Sequence, residues 1–194
     1  FTSTPPADIG ETPWHIHPNS ISAAVAIAKS LGISSAHIVK RLHTFAGAPG
    51  RRERACKSRL GVTCINDTTA TAPIAAIDTI CSASDAFGKA HIVAIVGGHD
   101  KELRESEIRT LASSIKRCTK HAVLLDGTFT QRLLKYLPKH TYRIHPSMKS
   151  AVADAMKHAK SGDLVILTPG CASFNMFAHE FDRGDQFTAS VLEY

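Results

Sequence analysis

Aromatic side chains are scarce in this chain. They make up 6% of its 194 residues, with a single tryptophan, while 43% of the residues are hydrophobic. The core such a composition builds is aliphatic and globular. The same scarcity removes the stacking platforms that single-stranded nucleic acid requires. Lysine and arginine number 23 against 17 acids, a net charge of +6. That excess favours anionic partners. Only Arg51, Arg52, Arg54, Lys57 and Arg59 crowd together, and no aromatic interleaves with them. Nucleic acid is therefore not the expected partner. No apolar run approaches the roughly 18 residues that span a bilayer, and no signal peptide is visible. The five cysteines contain no C-x-x-C, which argues against a zinc ribbon or a redox motif. They read as small buried hydrophobes in a reducing cytosol. The eleven histidines are scattered. Only His15 and His17 lie close, and i, i+2 spacing does not share a helix face, so they read as surface or capping groups. There is no G-x-x-x-x-G-K-[ST] phosphate loop, since Gly88-Lys89 lacks both the upstream glycine and the following hydroxyl.

What is present is an alternation. Helical spacing marks residues 19–31, capped by Asn19 or Ser20, and 35–45, capped by Ser35. Gly47-Ala48-Pro49-Gly50 then breaks the pattern, and a domain boundary belongs there. Beyond it, strands are expected at 52–57, 62–65, 91–96, 122–125, 141–144 and 164–167. Helices are expected at 73–83, with Thr71 as cap and Pro73 in the first turn, and at 105–117, 129–137, 147–160 and 181–192. The run His91 to Val96 is apolar enough to be buried on both faces of a sheet. Strands alternating with helices imply an α/β fold, a Rossmann-like and mostly parallel sheet with flanking helices, preceded by a short helical tail. The length is enough for one full domain and part of another. The start at Phe1 and the Pro/Ser/Thr-rich stretch 2–12 read as a piece of something longer.

In such sheets ligands bind beyond the carboxyl ends of the strands. Three polar segments fall there: Asn66-Asp67-Thr68-Thr69-Ala70-Thr71, Gly97-Gly98-His99-Asp100-Lys101, and Thr168-Pro169-Gly170-Cys171-Ala172-Ser173. Asp67 reads either as an acid that orients a nucleotide or as a helix cap. Thr71 likewise either presents its hydroxyl to a ligand or caps a helix. The two glycines let backbone approach a ligand, and Lys101 supplies a cation. Arg51 follows a rigid turn and reads as a phosphate contact or as a solvated strand-edge charge. Ser173 is not in a G-x-S-x-G elbow, so its hydroxyl reads as a ligand contact rather than a nucleophile. No base stands near Cys171, which reads as packing. Arg183, within Asp182-Arg183-Gly184-Asp185, is expected to pair with a neighbouring carboxylate.

These segments, together with Gly47-Ala48-Pro49-Gly50-Arg51 and Arg183-Gly184-Asp185-Gln186-Phe187, occur in one order. The ordered set resembles the C-terminal part of the Mur ligase family, most closely its D-glutamate-adding members, from about Ile16 to the end of the chain. The resemblance implies that residues 1–46 end a central ATPase domain and that 47–194 form the amino-acid-binding domain. It implies a cytoplasmic enzyme of peptidoglycan biosynthesis that uses ATP and Mg2+ to join D-glutamate to UDP-N-acetylmuramoyl-L-alanine through an acyl phosphate, with no nucleic-acid or membrane partner. Another Mur or folylpolyglutamate-type ligase, or a non-catalytic Rossmann-like module, are the alternatives. By the same resemblance Arg51 meets ATP phosphate and Asp67 the ribose. Thr71, Lys101 and Ser173 hold the carboxylates of D-glutamate, and Phe174 walls the pocket. The phosphate loop and the magnesium ligands lie outside this chain, which alone is expected to be inactive. The sequence departs from the family pattern at Thr69, where many members carry lysine. It also departs at Ile16 to Ser20, where the family reads H-N-x-x-N, and at Glu180, where an aromatic is expected and Phe181 stands one step later.

Overall fold

A computed structural model describes residues 16–58, 60–139 and 141–194. The stretch 2–12, His15 and Arg59 lie outside the described residues. The chain divides into two compact units, Phe1–Pro49 and Gly50–Tyr194.

In the first unit, α1 spans Pro18–Ser30 and α2 Ser35–Thr44. His17 caps α1, its Nδ1 accepting from Asn19 N–H at 3.1 Å. Ser34, one residue before the expected cap, closes the start of α2 by accepting from His37 N–H. Ile21, Val25 and Ile38 form a small buried cluster between the two helices.

In the second unit the elements are β1 Glu53–Lys57, β2 Thr63–Asn66, α3 Pro73–Phe87, β3 Ile92–Gly97, α4 Glu105–Cys118, β4 His121–Leu125, α5 Thr128–Leu133, β5 Ile144–His145, α6 Met148–His158, β6 Leu164–Leu167 and α7 Glu180–Val191. They build one six-stranded sheet in the order β1-β2-β6-β3-β4-β5. All neighbours are parallel except β1, which runs antiparallel to β2 at one edge with a bulge between Arg54 and Cys56. The expected mostly parallel α/β sheet is the observed one.

Alternation along the central strands explains the two helical layers. Val93 and Ile95 of β3 point to the side of α6 and α7, where Val152, Phe187 and Val191 pack. Ala94 and Val96 point to the side of α3, α4 and α5, where Ile80, Ile108, Leu111 and Phe129 pack. Burying a phenylalanine such as Phe129 or Phe187 completely contributes about 1.5–3 kcal/mol each. Every residue of β3 is buried, as its uninterrupted apolar run implies.

Some boundaries move. α3 runs four residues past its expected end, because Ser82, Ser84 and Asp85 do not stop a helix that Gly88 stops. The helix after β4 narrows to a 3₁₀ turn at Leu134–Tyr136. β5 keeps two residues, since it is the far edge strand and pairs only at Leu124 with Ile144 and Leu125 with His145. The cysteines are all free. Cys56 faces Cys64 across β1 and β2, and Cys81 lies beside Cys118 between α3 and α4.

Candidate functional site

Because β2, β6 and β3 are parallel neighbours, their carboxyl ends open on one edge about 4.8 Å apart in sequence of pairing. The three polar turns follow these strand ends, and backbone hydrogen bonds lace them together. Gly170 N–H donates to Ala70 O at 2.8 Å, joining the third turn to the first. Gly97 N–H donates to Pro169 O at 2.9 Å, and His99 forms an isolated bridge with Ala172, joining the second to the third. The Asn175 amide lies 3.0 Å from His99 Nδ1, and the Thr128 hydroxyl 3.2 Å from the same nitrogen, so the loop after β4 closes the cluster.

Thr71, Lys101 and Ser173 are thereby carried on contiguous turns. Thr71 is half-buried, Lys101 exposed and Ser173 buried at 5% exposure. Among the described residues, neither hydroxyl nor the ammonium takes part in a protein hydrogen bond or ion pair. Thr71 is not the helix cap. That place belongs to Ala72, which has no capping oxygen, and the first turn of α3 carries no acid. The amides at the N-terminus of a 15-residue helix are thus left without a side-chain acceptor, and such a terminus attracts anions. The Lys101 charge reaches Cys171, two residues before Ser173, where it acts to lower the thiol pKa. Burial dominates at that thiol and pushes it up to about 12, so Cys171 packs rather than reacts. Phe174 stands 60% exposed directly after Ser173.

Arg51 and Asp67 lie on two segments that touch. Thr69 donates both its N–H and its hydroxyl to Gly50 O, at 3.0 and 2.8 Å, docking the Gly50 turn on the first polar turn. Arg51 is exposed there. Asp67 is 6% exposed and turned inward. Its Oδ1 accepts from Arg52 N–H at 3.1 Å, and its Oδ2 accepts from the Thr79 and Thr168 hydroxyls at 2.7 and 3.0 Å. Burial raises this carboxyl above its ordinary value, against the pull of those bonds and of Arg52. Asp67 does not cap α3; it anchors the backbone beside Arg51. The departures from the expected pattern have places too. Thr69 serves the Gly50 turn. Glu180 offers its carbonyl to the Thr68 hydroxyl at 2.5 Å, and the Phe181 ring stands 3.9 Å from where a Gly50 side chain would begin.

Sequence reasoning missed several members of this site. Arg52, not Arg51, is the buried arginine, donating to Thr79 at 3.0 Å and pairing with Asp78. Arg183 pairs with no carboxylate among the described residues. It donates to the Thr68 hydroxyl, to Thr68 O and to Cys171 O at 3.1, 2.7 and 3.2 Å. Gly97 and Gly98 let turns approach each other, since added Cβ atoms would meet Thr130 Oγ1 at 2.4 Å and Cys171 Sγ at 3.1 Å. The sequence signal for these roles is thin, since the partners lie between 12 and 115 positions away.

Residues 50–171 match the family described as Mur ligase, glutamate ligase domain. The UDP-N-acetylmuramoylalanine--D-glutamate ligase of Roseiflexus sp. (strain RS-1) is 40% identical over 180 residues, covering 90% of this chain and 37% of its own length. The chain thus spans little more than a third of that relative. Among solved structures, the MurF ligase from Thermotoga maritima in complex with ADP is similar with a TM-score of 0.61 at 16% identity, covering 88% of this chain and 37% of that one. A bifunctional folylpolyglutamate synthase/dihydrofolate synthase from Yersinia pestis, complexed with AMPPNP and Mn ion, gives 0.60 at 21% identity, covering 91% and 39%. At those identities the two structures share the fold.

Proposed function

This chain belongs to the Mur ligase family, and on that premise we propose that it supplies the amino-acid-binding part of an ATP-dependent ligase joining D-glutamate to UDP-N-acetylmuramoyl-L-alanine. What supports the reading is the backbone lacing of the three turns that carry Thr71, Lys101 and Ser173, with no protein partner for any of the three polar groups among the described residues. A dianionic amino acid needs a cation, hydroxyls and helix-terminal amides, and this edge offers each of them. Lys101 takes one carboxylate as a point charge, and the Ser173 and Thr71 hydroxyls with the α3 N-terminus orient the other. Phe174 covers the apolar methylenes. Held so, the amine of D-glutamate is free to attack an acyl phosphate. The new amide bond forms at the acyl carbon, the carbon–oxygen bond to phosphate breaks, and the amine proton leaves to base or solvent. Positioning of the nucleophile is this domain's contribution to the rate.

Arg51 is the nucleotide contact in this reading. Asp67 supports it by fixing from within the Gly50–Arg52 turn against which the ribose would lie. Residues 1–46 close the upstream ATPase domain, and the whole enzyme is cytoplasmic. No described helix is long and apolar enough to cross a membrane. In this reading the phosphoryl step belongs to that upstream domain, because the 194 residues carry no G-x-x-x-x-G-K-[ST] phosphate loop. The 194-residue chain alone is therefore expected to release no phosphate from ATP.

The test is the full-length enzyme, assayed for phosphate release with a panel of amino acids. Stimulation by D-glutamate above the others is the expected result, and its absence refutes the assignment. In that enzyme Lys101→Ala removes one charge-assisted contact of about 1.5–3 kcal/mol, so the KM for D-glutamate should rise roughly 10- to 150-fold while that for ATP stays within about twofold. An equal rise in both would remove Lys101 from the amino-acid site.

A further inference from the structure

Three of the scattered histidines meet around one acid where α6 packs on β4 and β5. His121 opens β4, Asp154 lies in the body of α6, and His158 ends that helix four residues later. One ligand atom from each of these three lies within 4.8 Å of the others. The imidazoles of His121 and His158 stack with centroids 3.7 Å apart. Asp154 is buried, and its Oδ2 is held by His145 Nε2 at 3.0 Å. Its Oδ1 faces His158 Nε2 at 3.8 Å. That gap is too long for a hydrogen bond. It is close to the roughly 3.3–3.5 Å that separates two ligands of a tetrahedral ion with bonds of about 2.0–2.2 Å.

We propose that His121, Asp154 and His158 form a zinc-type divalent metal site, with His145 as the positioning partner of the Asp154 carboxylate. Two neutral imidazoles and a carboxylate are ligands of the right softness for zinc, and an i, i+4 pair on one helix plus a residue from a neighbouring strand presents them once the exposed His158 ring turns out of its stack on His121. A carboxylate whose second oxygen is fixed by a histidine has the outer-shell support such sites use. The site opens into a pocket of about 460 Å3 that Thr141, Arg143 and Lys157 also line. The fourth position is thus open to water or a small anion. Both cations are exposed, so solvent screens their repulsion of the metal. The neighbouring Lys120 is paired with Asp163. His121, at the start of β4, lies roughly 13 Å along that strand from the ligand edge, so the metal would clamp α6 to β4 without entering the amino-acid site, and only the positioning partner His145, in register with Leu125, stands at that edge.

Calorimetric titration of the metal-stripped 194-residue chain with zinc chloride at pH 7.5, repeated with cobalt(II) followed by visible absorption, tests this. One ion per chain is expected, with cobalt bands of a four-coordinate site. His121→Ala and His158→Ala should each weaken zinc at least about 100-fold, and His145→Gln about 10- to 100-fold. His43→Ala, on α2, should bind as the parent does. His158 is half-exposed, so its variant keeps the fold, and zinc should raise the unfolding midpoint of the parent but not of that variant. Absence of a stoichiometric ion, or parental affinity in both histidine-to-alanine variants, overturns the site.

Discussion

Arg183→Ala is expected to lower the unfolding free energy of the second unit by about 3–5 kcal/mol, read from urea denaturation. Arg183 has no exposed surface and is among the largest fully buried side chains. From α7 its guanidinium reaches the turn after β2 through Thr68 and the turn after β6 through Cys171 O. Hydrogen bonds from a charged group are worth about 1.5–3 kcal/mol each, and the three here are not additive because burying the charge opposes them. That opposition shows in the guanidinium pKa, which burial brings down to about 10. Alanine leaves two carbonyls and a hydroxyl without their donor, and a cavity besides. The adjacent Gly184 removes any slack, because a Cβ there would stand 2.8 Å from both Asn66 Nδ2 and Thr68 Cγ2. Arg183→Lys keeps the charge but not the planar fork, so it should fall between parent and alanine. A loss under about 1 kcal/mol for alanine would mean the three bonds contribute nothing net. In the whole enzyme the KM for D-glutamate should rise as well, because the Ser173 turn loses its tie to the Thr68 turn.

How much of this was legible in the sequence follows from which forces act locally. The run Ile92 to Val96 announces a doubly buried strand because apolarity and the period of two belong to the segment itself. β6 was read to the residue for the same reason, being bounded by Asp163 and Thr168. The three turns are legible because β2, β3 and β6 run parallel and so send their carboxyl ends to one edge. The capping propensity of Thr71 misleads, since it says nothing of whether Ala72 takes the extended backbone first. The partners of Arg183 were unreadable, because its neighbours in sequence are Asp182 and Asp185 while its neighbours in space are 115 and 12 positions away. The histidine cluster escaped for the same cause: His121 and His158 lie 37 positions apart and meet only when α6 packs on β4.

The glycines of the second turn promise room for a ligand in the sequence, but that room is filled by the neighbouring turns. Gly127 shows how strictly. It precedes α5 with φ of 148°, and a Cβ there would lie 2.1 Å from Gly98 O and 2.3 Å from Gly98 C. Those are backbone atoms, held in place by Phe129 N–H donating to Gly98 O at 3.1 Å and by Gly98 N–H donating to the Thr130 hydroxyl at 3.0 Å. Neither turn can yield without breaking the lacing of the ligand edge. Gly127→Ala should therefore combine about 1–2 kcal/mol of backbone strain with about 1–3 kcal/mol of overpacking, roughly 2–5 kcal/mol in urea unfolding. Gly162 supplies the control, because its φ of 89° is also left-handed but nothing lies within 4 Å of an added Cβ. Gly162→Ala should show the strain alone, about 1–2 kcal/mol. If the two variants lose equal stability, close approach between the turns contributes nothing and the lacing argument fails. If Gly127→Ala is the worse, its damage should also reach function in the whole enzyme. The turn it displaces carries Lys101, so the apparent affinity for D-glutamate should fall while Gly162→Ala, beyond the opposite end of β6, leaves it unchanged.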